Sequence, residues 1–447
     1  MTTSFADYLQ LYEASWLKLQ TTSPRLNSYE DRSLYSTWQI TLDRIQDKNA
    51  ASAALLRFWA YFDKQDVWFG LIQPAHSYTD AEAMKTLTED ELSFNAAVRL
   101  LCEFGLVSPE PTPGGSNGPA GYGVHSCVHS WTIFVLNQTW DRDLARLALR
   151  CVAANSDPSR GDHHWLFQQR ILRHAARHAH FIRNDMVNLQ GMWLPLQQLG
   201  SLHMIHDKES EAELIYSRAL EDYQSFGPEH TRYPSPYVKL GPLYMKKGRY
   251  EKAEALYLKA LRTSEKFDPI ESPMILVDLG ELYLKQLRLP EAETMLLRAL
   301  KGYEDGESDT SGSLEILCIR WHLSDVYEQQ DKLSQAKAIR NEALQGYGDV
   351  SGLISLPYSN RSLIAVIILG ALYVDTGRRD AAKRMYLHAL AGFTAMHGPA
   401  SVMVTKLEQD LIELEEWVDD PREDDPGSSD NAATEPSSPL HKRRRIE

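Results

Sequence analysis

Tyr237-Val-Lys-Leu-Gly-Pro-Leu-Tyr-Met-Lys-Lys-Gly-Arg-Tyr-Glu-Lys-Ala-Glu-Ala-Leu-Tyr-Leu-Lys-Ala260 is one copy of a pattern that comes round five times between Leu194 and Phe393. In register, its anchors are Gly200, Gly241, Gly280, Ser324 and Gly370, each preceded by a leucine (Leu199, Leu240, Leu279, Leu323, Leu369). An alanine stands twelve residues after each anchor (Ala212, Ala253, Ala292, Ala336, Ala382) and another seven further on (Ala219, Ala260, Ala299, Ala343, Ala389). Small residues at three fixed places let two antiparallel helix axes approach to roughly 8–10 Å. Tyr244, Tyr283, Tyr327 and Tyr373, three after the anchor, fill the next gap. Gly248 and Gly377, or Asp207 and Asp331, mark the intervening turn. Each copy is therefore a helical hairpin. One hairpin cannot bury its apolar face alone, so the copies stack into a solenoid with one continuous core.

The pattern resembles the tetratricopeptide repeat (TPR). Its anchors recur 39 to 46 residues apart, beyond the roughly 34 of the basic repeat. The surplus lies between hairpins, as in Phe226-Gly-Pro-Glu-His230 and Phe267-Asp-Pro269, and is similar to the kinesin-light-chain type of repeat. Pro242 follows an anchor directly, inside a first helix. Because proline lacks an amide proton and its ring crowds the preceding turn, a kink or local break is expected there.

Composition narrows the function classes. A net charge of -14 over 447 residues argues against a broad phosphate-binding face, so nucleic acid is not the expected partner. The four cysteines (Cys102, Cys127, Cys151, Cys318) include no CxxC pair and read as buried thiols of a reducing compartment. The first residues lack the basic start and apolar run of a signal peptide. The longest apolar run, Leu363 to Val374, is too short to span a bilayer and reads as core. An intracellular, soluble protein is expected, in the cytoplasm or the nucleus.

Ahead of the repeats, residues 1–50 read as a helical lead-in on the three-and-four spacing of Phe5, Tyr8, Leu9, Tyr12, Trp16 and Leu19, then Trp38, Leu42 and Ile45. Two short apolar helices follow at 53–60 and 67–72. A longer one at 90–104 starts at Thr88-Glu-Asp90 and turns Leu92, Ala96, Val98, Leu100 and Leu101 inward. Leu106-Val-Ser-Pro109 and Tyr122-Gly-Val-His125 flank a Pro- and Gly-rich stretch, which predicts a hairpin. Helices and then a hairpin make a winged-helix arrangement over 51–140. Residues 141–193 form a helical connector, 194–417 the five repeats with a capping helix from Val402, and 418–447 a tail with too little apolar content to fold.

The order Tyr35-Ser-Thr-Trp38, Leu55-Leu-Arg-Phe-Trp-Ala-Tyr-Phe62, Leu92-Ser-Phe-Asn95, Leu101-Cys-Glu-Phe-Gly-Leu-Val107 and His125-Ser-Cys-Val-His-Ser-Trp131 resembles the winged-helix end of the nucleotide-binding module in fungal proteins of the NB-ARC plus repeat family. That family resembles plant and animal immune receptors with switchable ATPase domains. The resemblance covers only the C-terminal half of its architecture, winged helix plus repeats, because no GxxxxGK[ST] phosphate loop occurs in the chain. Val124-His125-Ser126 stands where relatives carry Met-His-Asp, which implies a nucleotide contact for His125; the alternative is a histidine ending the second wing strand.

Other candidates for chemistry are few. His174 and His178 are four apart with His163-His164 upstream, but no carboxylate or cysteine is placed to complete a metal shell, and Arg173, Arg177 and Arg183 repel a cation. A solvated basic helix face is the expected reading. No HExxH, GxSxG or dinucleotide-type glycine loop is present, so no catalytic residue, cofactor or metal is expected. Lys442, Arg443, Arg444 and Arg445 form a basic cluster of the nuclear-import type.

The resemblance also implies a groove. Projecting the repeat family's groove positions onto this chain gives Gln197, Ser201 and Met204; Val238 and Met245; Val277, Glu281 and Leu284; Trp321, Asp325 and Glu328; then Ile367, Ala371 and Val374. The set is apolar with an acidic middle and suits an extended or helical peptide with apolar anchors. The Lys and Asn residues of a carboxylate clamp are missing from it, as is the asparagine ladder of kinesin light chains.

The expected fold class is mainly α, a winged-helix-like N-terminal domain followed by a TPR α-solenoid. The expected function is a non-catalytic adaptor that holds a protein or peptide in its groove, associates with a second copy, or associates with a nucleotide-binding relative, with no membrane contact. The rival readings are a nuclear regulator touching nucleic acid through the winged helix, and a fragment of a signalling ATPase. Against the first, the helix at 90–104 sets Asp90, Glu91 and Glu103 against Arg99.

Overall fold

The structure, a computed structural model, describes residues 34–110, 121–156, 164–225, 235–267, 272–304, 310–346 and 359–416. It is mainly helical, and two compact units divide the chain: residues 1–157 with 168–203, and residues 158–167 with 204–447.

In the first unit, α1 (Leu34–Lys48) and α2 (Ala50–Trp59) part at Asn49, whose Oδ1 accepts the Ala51 and Ser52 amides at 2.9 and 3.2 Å. That cap satisfies amides the new helix would otherwise leave bare. α2 delivers Leu55, Leu56, Phe58 and Trp59 to the core. After α3 (Phe69–Ile72) and a 3-10 turn come α4 (Glu82–Glu89) and α5 (Glu91–Glu103). Next, β1 (Val107–Glu110) pairs antiparallel with β2 (Gly121–Val124), Val107 opposite Val124. α6 (Ser126–Trp131) runs into a π-helical turn and is followed by α7 (Arg142–Ala154). α8 (His164–Arg183) from Gln168 onward and α9 (Trp193–Ile205) up to His203 complete this unit.

Three expectations change here. Leu92 is 80% exposed, Ala96 is exposed and Leu100 only half-buried; the inward face of α5 is Phe94, Ala97, Val98 and Leu101. The phase is set by Asp90, whose carboxylate caps the helix by accepting the Ser93 amide at 2.7 Å and leaves Leu92 on the first, solvated turn. The stretch 67–72 is helical only from Phe69, because Val67 exchanges two backbone hydrogen bonds with Tyr122, both 2.9 Å, and so extends the hairpin's pairing. α4, whose Met84 and Leu87 are buried, was not expected.

In the second unit α10 (Glu209–Ser225) precedes four hairpins: α11 (Ser235–Lys246) with α12 (Tyr250–Phe267), α13 (Ser272–Lys285) with α14 (Leu289–Glu304), α15 (Thr310–Gln329) with α16 (Leu333–Gly346), and α17 (Asn360–Asp375) with α18 (Arg379–His397). All ten repeat alanines are buried. The anchors are as tight as their spacing implies. A Cβ on Gly241 would sit 2.1 Å from the Tyr257 ring, one on Gly280 2.6 Å from Leu296, and one on Gly370 2.6 Å from Tyr386. Any larger residue would push the paired helices apart. α12 packs on α13 and α14 on α15, while α13, α15 and α17 also meet side by side. α19 (Val402–Glu416) covers α18 with Val404, Leu407 and Leu414, the expected cap.

α11 runs unbroken through Pro242, so the local break does not occur. The proline forfeits its own bond to the carbonyl four residues back, and Leu240 and Leu243, buried on either side of it, hold the turn against α10 and α12.

The turns close alike. The amides of Arg249, Arg288, Lys332 and Arg378 reach back to the carbonyls of Tyr244, Tyr283, Tyr327 and Tyr373 at 2.8 to 2.9 Å, the longer bond of a Schellman closure. This needs a left-handed residue just before, and Gly248, Asp331 and Gly377 supply it with φ of 66°, 60° and 71°. In the third repeat that residue is Leu287, at φ 60° and 65% exposed. A leucine there carries a steric cost of roughly 1–2 kcal/mol. Leu287→Asn is therefore expected to raise stability by about 1 kcal/mol, read as a higher urea midpoint for the repeats; an unchanged or lower midpoint would contradict the strain.

Candidate interaction groove

The groove positions from Val238 onward sit on α11, α13, α15 and α17, the first helices of successive hairpins, and Gln197, Ser201 and Met204 sit on α9. Met204, Val238, Val277, Glu281, Leu284, Asp325, Glu328 and Ile367 are half-buried, the state of side chains that line a surface without being consumed by the core. Met245, Trp321, Ala371 and Val374 are buried. Met245 takes the Tyr257 hydroxyl on its sulfur at 3.5 Å, and the other three belong to one apolar cluster with Leu363, Leu369 and Phe393. Gln197 and Ser201 fall in the first unit, Gln197 buried and Ser201 half-buried.

The acidic middle is organised by a residue the sequence reading passed over. Sixteen residues after the anchor the repeats place Tyr216, Tyr257, Leu296, Arg340 and Tyr386. Only the fourth repeat puts a serine at the anchor, and it is the one that puts an arginine opposite. Arg340 Nε donates to Ser324 Oγ at 3.2 Å, so the hydroxyl and the guanidinium replace the glycine and the apolar ring as a matched pair. Its Nη1 lies 2.6 Å from Glu328 Oε1 and 3.8 Å from Asp375 Oδ2, its Nη2 is 4.0 Å from Asp325 Oδ1, and the group stands over the Trp321 ring at 5.8 Å. Trp321, Asp325 and Glu328 thus converge on one cation from the second helix. The Arg340 side chain is 11% exposed, and planar guanidinium geometry suits such shared, partly desolvated carboxylates. On the neighbouring first helix, Lys285 Nζ lies 3.7 Å from Glu281 Oε1. Burial holds the pKa of His322 below its ordinary value, with the charges of Glu281 and Lys285 near it.

The remaining candidates have structural employment. His125 is exposed, follows β2, and caps α6 by accepting the Cys127 amide on Nδ1 at 3.3 Å. His174 and His178 do not lie on a solvated face: both are fully buried, while Arg173 and Arg183 are exposed and Arg177 is half-buried. The reason is long-range. Arg170, four residues before His174, makes a two-toothed pair with Asp66 at 2.6 and 2.8 Å, which turns that side of α8 inward. Among the described residues no group of three or more His, Cys, Asp or Glu could hold a metal ion, and no helix is long and apolar enough to cross a membrane. His163 and the Lys442–Arg445 cluster lie outside the described residues.

With this geometry in place, similarity to known proteins can be stated. Residues 236–305 match the tetratricopeptide repeat family model. No curated protein matches the sequence. Among solved structures, the chain is similar to BtubC (BKLC) from P. vanneervenii, at 18% identity and a TM-score of 0.31 over 52% of this chain and 98% of that one. It is also similar to a signal transduction ATPase with numerous domains (STAND) that carries a tetratricopeptide repeat sensor, from Pyrococcus horikoshii, at 15% identity and a TM-score of 0.39 over 94% of this chain and 65% of that one. A third is YrrB, a TPR protein with an unusual peptide-binding site, at 18% identity and a TM-score of 0.25 over 48% of this chain and 91% of that one.

Proposed function

We propose that the chain is a non-catalytic interaction adaptor whose repeats hold a protein or peptide partner along the first-helix face between Met204 and Val374. The observation that carries this reading is the row of half-buried apolar side chains, Val238, Val277, Leu284 and Ile367, interrupted by the acidic and basic groups around Arg340. Apolar anchors give affinity and fixed charges give register, the division of labour of helical or extended peptide recognition. The first unit's helices followed by the β1–β2 hairpin support a winged-helix-like module, and with it a relation to NB-ARC plus repeat proteins. A nucleic-acid role is disfavoured by α5, where Arg99 is paired to Glu103 at 3.3 Å and Glu91 is exposed.

The test is differential co-purification by mass spectrometry from the source cells. Leu284→Lys and Ile367→Lys are expected to lower recovery of the true partners at least about tenfold, since a charge set in an apolar anchor site loses 1.4 kcal/mol or more. Leu387→Lys, on an exposed second-helix position, leaves recovery unchanged. Equal recovery across all three variants, with circular dichroism unaltered, would remove the groove from the function.

A further inference from the structure

Residues 60–67 of the first unit lead from α2 toward α3 and lie against the hairpin. They touch β2 through the Val67–Tyr122 exchange and through the Val124 amide, which donates to the Lys64 carbonyl at 2.8 Å. Three buried imidazoles hold this loop from behind. His129 on α6 donates from Nε2 to the Phe62 carbonyl at 3.2 Å. His174 on α8 accepts the Asp63 amide on Nδ1 at 3.1 Å and donates from Nε2 to the Asp66 carbonyl at 3.0 Å. His178, one turn on, has no hydrogen-bond partner on either nitrogen among the described residues and is walled by the Phe62 and Phe181 rings at 6.3 and 5.5 Å.

The sites of His174 and His178 are built for a neutral ring; at His129 burial opposes the charged form, which the Trp59 and Phe62 backbone contacts favour. Protonating His174 turns its acceptor into a donor facing another donor, and breaks the Asp63 bond outright. Protonating His178 puts a charge among phenyl rings, with Arg177 and His174 as its nearest charged or titrating neighbours. The other charges facing the loop are Asp63, Lys64 and Asp66 on the loop itself, Arg170 and Arg173 on α8, and Glu110 on β1. Asp63 and Asp66 favour a charged His174, but Asp66 is already engaged by Arg170. Burial dominates: it pushes His129 down to about 4 and His178 to about 3, and holds His174 well below the ordinary range. Groups with folded pKa values below the unfolded 6.5 leave stability intact above pH 6.5 and withdraw it as the pH falls toward 4.

We propose that residues 60–67 are an acid-released clasp: protonation of His129, His174 and His178 frees the loop and, with it, the hairpin of the first unit. The test is amide hydrogen exchange of the full chain between pH 6.5 and 5, corrected for intrinsic exchange, following peptides over 60–67 and 121–124 against α12, which contains no histidine. In wild type the logarithm of the opening constant should rise with acid at a slope of about 1.5 per pH unit at pH 6.5, half a proton per histidine, steepening to about 2.7 at pH 5. Glu110, whose carboxyl burial holds above its usual value, works against that slope. His178→Phe removes no hydrogen bond and should lower the slope by about 0.5 at pH 6.5 and by nearly one at pH 5. Adding His174→Gln, whose amide can both accept from Asp63 and donate to Asp66, should lower it by a similar amount again. Matching protection at pH 7.5 establishes that each variant folds; should the double variant not fold, His178→Phe and the wild-type slope decide. A wild-type slope below about one, a slope unmoved by His178→Phe, or α12 opening at the same slope would each overturn the clasp.

Discussion

Asp66→Asn is expected to cost the first unit about 3–5 kcal/mol, the range for removing one partner of a buried ion pair. Asp66 and Arg170 are 5% and 7% exposed in their side chains and meet through two of the guanidinium nitrogens, Nε and Nη2. Asparagine keeps the shape, and it tolerates the φ of 60° that Asp66 adopts. What it lacks is charge, so the guanidinium stays buried, 4.2 Å above the Trp68 ring, without its counter-ion. Gly121 contributes to the tightness, because a Cβ there would fall 2.2 Å from Asp66 Oδ1. Urea denaturation followed by tryptophan fluorescence measures the loss. The double variant Asp66→Asn with Arg170→Met should recover more than half of it, since an apolar replacement of a buried pair is often neutral. A loss below about 1 kcal/mol for the single variant would place the pair in the weak class of surface bridges.

Arg340→Ala should cost the repeats about 3 kcal/mol, and the damage should be local. The guanidinium ties Asp325 and Glu328 on α15 to Asp375 on α17, so amide protection is expected to fall in 310–346 and 360–375 while 250–285 keeps its own. Such grading follows from arrays in which each unit contacts only its neighbours. Restoring the pairing found in the second and fifth copies, Ser324→Gly with Arg340→Tyr, should return part of the loss, because Gly241 with Tyr257 and Gly370 with Tyr386 already show that shape packs. Uniform loss of protection along the whole array would mean that the ionic contact is not what couples these two copies.

The repeat register was legible because its information is periodic. A glycine or alanine that must sit against another helix returns at a fixed interval, and Gly241, Gly280 and Gly370 each meet the side chain sixteen residues on. What connects Asp66 to Arg170 has no period, since 104 residues separate them and no local pattern marks either. The buried face of α8 could have been found: Ile171, His174, Ala175, His178, Ala179 and Ile182 follow helical spacing, but the intervening arginines draw the eye to the solvated side. The groove shows the same division. Trp321, Asp325 and Glu328 lie on the first helix, where family resemblance points, whereas Arg340 comes from the second helix at a position the other copies give to apolar or aromatic packing. Aligning the copies on that one column would have exposed it.

Arg340 also reaches beyond its own hairpin. Copies joined only by methyl groups and rings are interchangeable in principle, and a transplanted one would find a similar surface wherever it landed. The fourth copy would not, because part of its electrical balance, Asp375, is stored in the fifth. Moved elsewhere it would arrive with a stranded cation, and a copy inserted behind it would cut the circuit, so at this joint the array has a fixed seating order.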